Sequence, residues 1–350
     1  MTNAHNEKVG SFWTRQPGIA IKGYVAIYGL TVVVNYVINA WMQAAPIGPD
    51  RLYWFDNICW MLFSLWWCFL FAAVGNWPFA AWIKNGFTRG VVATLACWFL
   101  GYLSYGAIYW VGLDIDWCFP IIGTLFALLV FFSYTGENWL WAGLSASRQF
   151  FLILVTVVGL TWLVVHTGIR WIPPWWFPFA QIFLATGLGN YLFRRVKQPG
   201  KTIGIWAIWF ILIGIWLWIS TTLGIWDSSA EAPGFWAIGS YNDTWLLFFF
   251  VYCSFVWGIL VPAHNWPFRY VRMPWGGILA GAFCTVLSIL ITKLLLSMVG
   301  TVFADIQEAF TYGYMGVAWS FFVPLFFGVG LEAPVHWTGQ EVPGSWEEVE

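Results

Sequence analysis

An all-α, polytopic membrane helix bundle of about ten transmembrane helices is the fold class this sequence predicts, and three observations carry the prediction. Of 350 residues, 60% are hydrophobic and only 9% are charged, against about 25% charged in an ordinary soluble domain. Apolar runs of roughly 18 to 25 residues, the length a helix needs to cross a hydrocarbon core of about 30 Å, recur ten times along the chain. These runs are apolar on every side. A membrane β-barrel would need strands that alternate polar and apolar residues, so spanning helices are expected instead.

The first run, 19–43, follows a polar stretch, 1–18, that lacks the short apolar core and small-residue cleavage site of a signal peptide, so no cleaved leader is expected. The second, 53–75, runs into "GNWPF" and is followed by a short loop with Lys84 and Arg89. The third is 90–112. The fourth, 117–135, opens on "WCFP" and runs into "TGENW". The fifth, 148–169, begins at Arg148; the sixth, 175–193, opens on "WWFP" and runs into "GNYLFRR". The seventh is 202–224. The eighth, 245–263, runs into "HNWPF"; the ninth, 276–300, contains Lys293. The tenth, 313–331, carries Pro324, which removes a helix hydrogen bond and should kink it. The membrane unit 19–331 reads as one domain, and an acidic tail, 332–350, follows it.

Charge placement orients these spans, because cytoplasmic loops are enriched in Lys and Arg. Lys8, Arg15, Lys22, Lys84, Arg89, Arg148, Arg194, Arg195, Lys197, Lys201, Arg269 and Arg272 all fall on one side. Asp50, Asp114, Asp116, Asp227, Glu231, Asp243, Asp305 and Glu308 fall on the other, with Arg51 and Arg170 as the basic exceptions there. A multi-pass protein of the cytoplasmic (inner) membrane is therefore expected, with both termini cytoplasmic. With 15 basic and 16 acidic side chains, no electrostatic case exists for a nucleic-acid partner. Many of the 30 Trp cluster at span ends, as in "WIPPWW", where the ring suits the headgroup level. Trp66, Trp67, Trp98, Trp162, Trp216 and Trp218 lie within spans, which points to bundle packing or an aromatic cavity.

The word at the end of the second span comes back. Asn76 and Trp77, Asn138 and Trp139, Asn190 and Tyr191, and Asn265 and Trp266 each follow an apolar span and precede a short basic loop. A half-length copy, "LEAPVHWTG", puts His336 where Asn stands in the others. Each step is about two spans and two loops, the pattern of tandem duplication, with every copy in the same orientation. Helical hairpin repeats are thus expected near 53–112, 117–169, 175–224 and 245–300, flanked by 19–43 and 313–331. Two roles compete for the Asn positions. Asn, and Gly before it, tolerate the left-handed conformation that ends a helix, so the words can be caps. Equally, four polar side chains at one depth can line a path and contact a solute. A partner-docking surface on that side is a third use.

The remaining candidates are few. Lys293 is the one clear charge inside a span, where insertion costs roughly 2.5 to 3.5 kcal/mol at the helix centre, although its stem can snorkel to headgroups. Glu137, in "TGENW", is a solvated helix-end carboxylate or a proton or cation site. His264 and His336 are weak metal-ligand candidates; membrane haem needs paired axial ligands in an apolar setting, so no haem is expected. The six Cys lie in or beside apolar runs without a CxxC pair, as small core residues do. No GxSxG, HExxH or P-loop pattern supports an enzyme.

Three function classes fit. The leading expectation is a channel or facilitator-type transporter for a small neutral or weakly polar solute, since scarce intramembrane charge suits passive passage better than a proton-coupled pump. The alternative is a haem-free membrane anchor or quinone-interacting subunit of a larger respiratory or enzyme complex. The third is a structural membrane scaffold. The partners this implies are the lipid bilayer, other membrane or peripheral subunits, or further copies of the chain.

Overall fold

The computed structural model describes residues 33, 53–113, 117–166, 189, 191–222, 247–248, 251–252, 267–303 and 309. Among them are seven α-helices and no β-strand: α1 (Tyr53–Ala73), α2 (Phe79–Trp82), α3 (Gly86–Trp110), α4 (Cys118–Leu129), α5 (Ala146–His166), α6 (Gly200–Thr222) and α7 (Trp275–Ser297). A π turn, Val130–Tyr134, continues α4. Single 3-10 turns follow at Trp139–Trp141 and Phe268–Tyr270.

Three of these segments, Thr88–Ile108, Ala146–His166 and Trp275–Ser297, are long and apolar enough to cross a membrane. At a rise of about 1.5 Å per residue they extend roughly 31 to 35 Å, a bilayer's hydrocarbon thickness. The chain is therefore a membrane-embedded helical protein. The runs expected at 53–75, 90–112, 117–135, 148–169, 202–224 and 276–300 coincide with α1, α3, α4 with its π turn, α5, α6 and α7, to within about four residues. Those expected at 19–43, 175–193, 245–263 and 313–331 fall almost wholly outside the described residues.

α1 is the inner helix. Met61, Phe63, Leu65, Trp66, Cys68, Phe69, Leu70 and Phe71 point in every direction around its axis and are all 5% exposed or less. A helix apolar all round must be enclosed, and α3, α4 and α5 enclose this one. The seam with α3 is tight at Gly101, where an added Cβ would lie 2.6 Å from the Ser64 backbone nitrogen and would also strike its hydroxyl. Small residues at such crossings let membrane helices approach until backbone atoms touch. Two indoles then tie the same seam: Trp60 Nε1 donates to the Trp98 carbonyl at 2.9 Å, and Trp67 Nε1 donates to Ser104 Oγ at 2.9 Å. Ser104 Oγ in turn donates a hydrogen bond to Leu100 O at 2.8 Å.

The intraspan tryptophans whose side chains are described divide into two sets; the side chain of Trp216 lies outside them. Trp66, Trp67 and Trp98 pack the bundle, whereas Trp162 and Trp218 are 51% and 71% exposed and face outward. Phe151, Val155, Val158 and Leu163 join Trp162 on the outer face of α5. In water such a continuous apolar face would be a liability; against lipid it is the expected surface. Cys68, Cys97 and Cys284 are free thiols in the packed interior.

These contacts predict opposite responses from two glycines. Gly101→Ala should lower the thermal unfolding temperature in detergent by the equivalent of about 1–3 kcal/mol, because neither backbone can yield. Gly159→Ala, whose added Cβ meets nothing within 4 Å, should be neutral or raise stability by up to about 1 kcal/mol through helix propensity.

Candidate ligand site at the helix ends

α1 ends in a Schellman cap. The Asn76 N–H donates to Phe71 O at 2.7 Å, and the Gly75 N–H donates to Ala72 O at 3.1 Å. That pair of bonds requires a left-handed residue just past the helix; Gly75 supplies it with φ of 67°, and Asn76 follows at 60°. Asparagine is among the few non-glycine residues that occupy this region readily. The first two letters of "GNWPF" are therefore set by the backbone they terminate.

The cap leaves the Ala73 carbonyl without a donor of its own helix, and Asn138 Nδ2 fills that place at 2.8 Å. Asn138 belongs to the second word, "GENW", which makes the same two left-handed steps: Glu137 at φ of 52° and Asn138 at 54°. α4 loosens ahead of them into its π turn, so that the Thr135 N–H reaches Val130 O at 2.9 Å and the Asn138 N–H reaches Phe132 O at 3.0 Å. Only glycine fits at 136, where a Cβ would stand 2.5 Å from the carbonyl oxygens of Phe131 and Phe132. Tyr134 adds a second tie, its hydroxyl donating to Phe69 O at 2.8 Å.

The segment after the third word returns to the second. Thr202 Oγ1 and Gln198 Nε2 donate to Thr135 O at 3.0 and 3.3 Å, and Trp206 Nε1 donates to Thr135 Oγ1 at 3.0 Å. At the rim, Lys201 Nζ meets Glu137 Oε1 at 2.9 Å. Glu137 is thus a largely exposed, ion-paired carboxylate. Arg89, one of the loop cations, is buried at the start of α3, with Nη1 at 3.5 Å from Ile83 O.

Within this knot sits an amide that bonds to nothing. Asn76 is 2% exposed, and neither its Nδ2 nor its Oδ1 has a hydrogen-bond partner. Asn138 Oδ1, Trp139 Nε1 and Ser133 Oγ are likewise buried and unmatched. Aromatic rings surround the turn. Trp77 packs on Phe150 and Phe151 with centroids 5.3 and 5.9 Å away; Phe71 stacks on Phe150 at 5.4 Å and meets Phe79 edge-on at 4.9 Å. The start of α5 brings Phe150 to Trp77 and brings Gln149 Oε1 within 3.5 Å of Asn138 Nδ2.

Of the residues singled out in the sequence, Asn76, Trp77, Asn138 and Trp139 come together here, with Glu137 at the rim. Tyr191 is half-buried against the hydrophobic core, with the Arg194 guanidinium 4.7 Å from its ring centre. Lys293 is elsewhere, on the outer face of α7 among exposed Ile289, Leu290 and Leu294. Asn190, Asn265, Trp266, His264 and His336 lie outside the described residues. No group of three or more His, Cys, Asp or Glu among the described residues could hold a metal ion. Ser133, Thr135, Gln149 and Phe150 had no signal in the sequence beyond being two small polar residues ending an apolar run and two ordinary helix-start residues.

Asn138→Ala should destabilise the protein by about 1–3 kcal/mol, because it strands the Ala73 carbonyl and leaves the left-handed backbone to a residue without the short polar side chain that lets Asn accept it. Asn138→Gly should recover the backbone part of that loss, and Glu137→Gln should change stability by about 1 kcal/mol, as suits an ion pair whose carboxylate is 58% exposed and whose Lys201 partner is 14% exposed. Thermal unfolding of the three variants in one detergent checks this ordering.

Comparison with protein families, curated proteins and solved structures returns no match for this chain.

Proposed function

We propose that this chain is a ten-helix, multi-pass protein of the cytoplasmic membrane, built from same-orientation two-helix repeats, that passes a small neutral or weakly polar solute along an aromatic-lined path. The observation that carries the reading is the Asn76 side chain. Leaving a buried donor or acceptor unmatched costs about 1–3 kcal/mol per group, and Asn76 leaves both ends of its amide unmatched. A helix terminator needs only the backbone freedom of this residue, which glycine supplies with no polar atoms to desolvate. A side chain kept at that cost suits a passing solute that satisfies it transiently.

Supporting the membrane placement, Trp82 ends α2 just before α3, Trp275 starts α7, and Trp110 and Trp218 stand at or near the ends of α3 and α6, all 64–77% exposed. Two headgroup-level belts would look this way. Supporting the path, the rings of Trp77, Phe71, Phe79, Phe150 and Phe151 flank the turn that carries Asn76.

A second reading, a haem-free membrane subunit that anchors a larger complex and binds quinone between aromatic rings, draws on Lys293. A cation on an outward apolar helix face is a place where an acidic group of a neighbouring subunit would pair.

Purified protein in liposomes distinguishes the two. Stopped-flow light scattering should show glycerol entering faster than into protein-free vesicles, with the excess lost in Asn76→Gly. Equal rates with and without protein would overturn the path, and a stoichiometric partner in a native pull-down would then favour the subunit.

A further inference from the structure

We infer that the ligand met by Asn76 is a small uncharged molecule presenting a hydrogen-bond donor and an acceptor side by side on a planar group, the class of carboxamides and ureas. The inference rests on the solute-path reading for its biological meaning, but its chemistry is argued from which buried atoms are unmatched. Asn76 offers one acceptor oxygen and a two-donor nitrogen; Asn138 Oδ1 adds an acceptor, Trp139 Nε1 a donor, and Ser133 Oγ either. A primary amide pairs with another amide edge through two parallel bonds, N–H to O in each direction. A ligand with donors only, or acceptors only, would leave half of this set unmet.

The same inventory favours a neutral partner for the Asn76 amide. The unmatched atoms of Asn76, Asn138, Trp139 and Ser133 are all neutral; of the ionised groups, Glu137 meets Lys201 at the rim, and Arg89, whose Nε is also unmatched, holds the Ile83 carbonyl through Nη1. An ion brought against these four side chains would lose its hydration and meet only neutral atoms there, a far larger cost than desolvating an amide. The aromatic surround adds the preference for a flat group, which presents a face to a ring and its edge to Asn76. The turn itself borders open space. Gly75, directly before the buried Asn76, is exposed, and a Cβ built on it meets nothing within 4 Å.

Acetamide tests this directly, with acetate as its charged counterpart and glycerol as a neutral molecule lacking a planar donor–acceptor edge. Detergent-purified protein should unfold at a higher temperature as acetamide is added, because a ligand that binds only the folded state stabilises it by mass action. Acetate and glycerol at equal concentration should give less than half that shift. Asn76→Gly keeps the left-handed backbone and should abolish the acetamide shift. Trp139→Phe keeps a ring but removes the N–H, and should weaken the apparent affinity by about tenfold, the equivalent of one hydrogen bond; it serves if Asn76→Gly fails to fold. Equal shifts with acetamide and glycerol, or an undiminished acetamide shift in both variants, would overturn the assignment. Run beside the liposome measurement, the two ideas fail separately. Glycerol flux without an acetamide-specific shift removes the ligand class and leaves the path, whereas an acetamide-specific shift without flux of any solute removes the path and leaves a binding site.

Discussion

The Ala73 carbonyl and the Asn138 amide that caps it are the contact on which the rest of this end of the molecule depends. A helix leaves its last carbonyls unbonded, and in an assembly with so little water each of them needs a donor from the chain itself. The Schellman cap uses Gly75 and Asn76 to satisfy Phe71 and Ala72. What it cannot reach is satisfied by the next word along, and Tyr134 reinforces the junction at Phe69. The end of α4 is thereby held against the end of α1, and Thr135 in turn becomes the acceptor that receives Thr202, Gln198 and Trp206. Successive helix ends are stapled by polar bonds at one end of the bundle, while between them apolar surface meets apolar surface.

This arrangement explains why a single side chain stands out. Once Asn138 has committed its nitrogen to Ala73, and the backbone of Asn76 to Phe71, the side-chain amide of Asn76 and the far side of the Asn138 amide remain. They are enclosed by the rings that α5 contributes, so water is scarce there and the desolvation cost is high. Capping, one explanation of a repeated Asn, thus falls to the side chain of Asn138 and only to the backbone of Asn76.

Association elsewhere follows membrane rules. Without a hydrophobic force to separate helix from lipid, close backbone approach and interhelical hydrogen bonds hold the seam. Gly101 against Ser64, and the indole donors of Trp60 and Trp67, are those two devices side by side. The unusual tryptophan content thus serves inward hydrogen bonding as well as outward anchoring, and Trp162 and Trp218 show the outward use within spans.

Apolar length and scarce charge were enough to read a membrane-embedded helical protein and the positions of α1, α3, α4, α5, α6 and α7, because crossing a bilayer constrains length and composition residue by residue. The left-handed turns at Gly75, Asn76 and Asn138 were also legible, since few residue types accept that backbone. Which side chain meets which carbonyl was not. That Asn138 caps a helix 65 residues earlier in the chain, that Glu137 pairs with Lys201, and that Asn76 is left with nothing depend on how helix ends are brought together through the sequence-distant seams of α1 with α3, α4 and α5. Periodicity and residue type record what each helix must bury; only the packed structure decides which polar atoms, once buried, are left for a ligand.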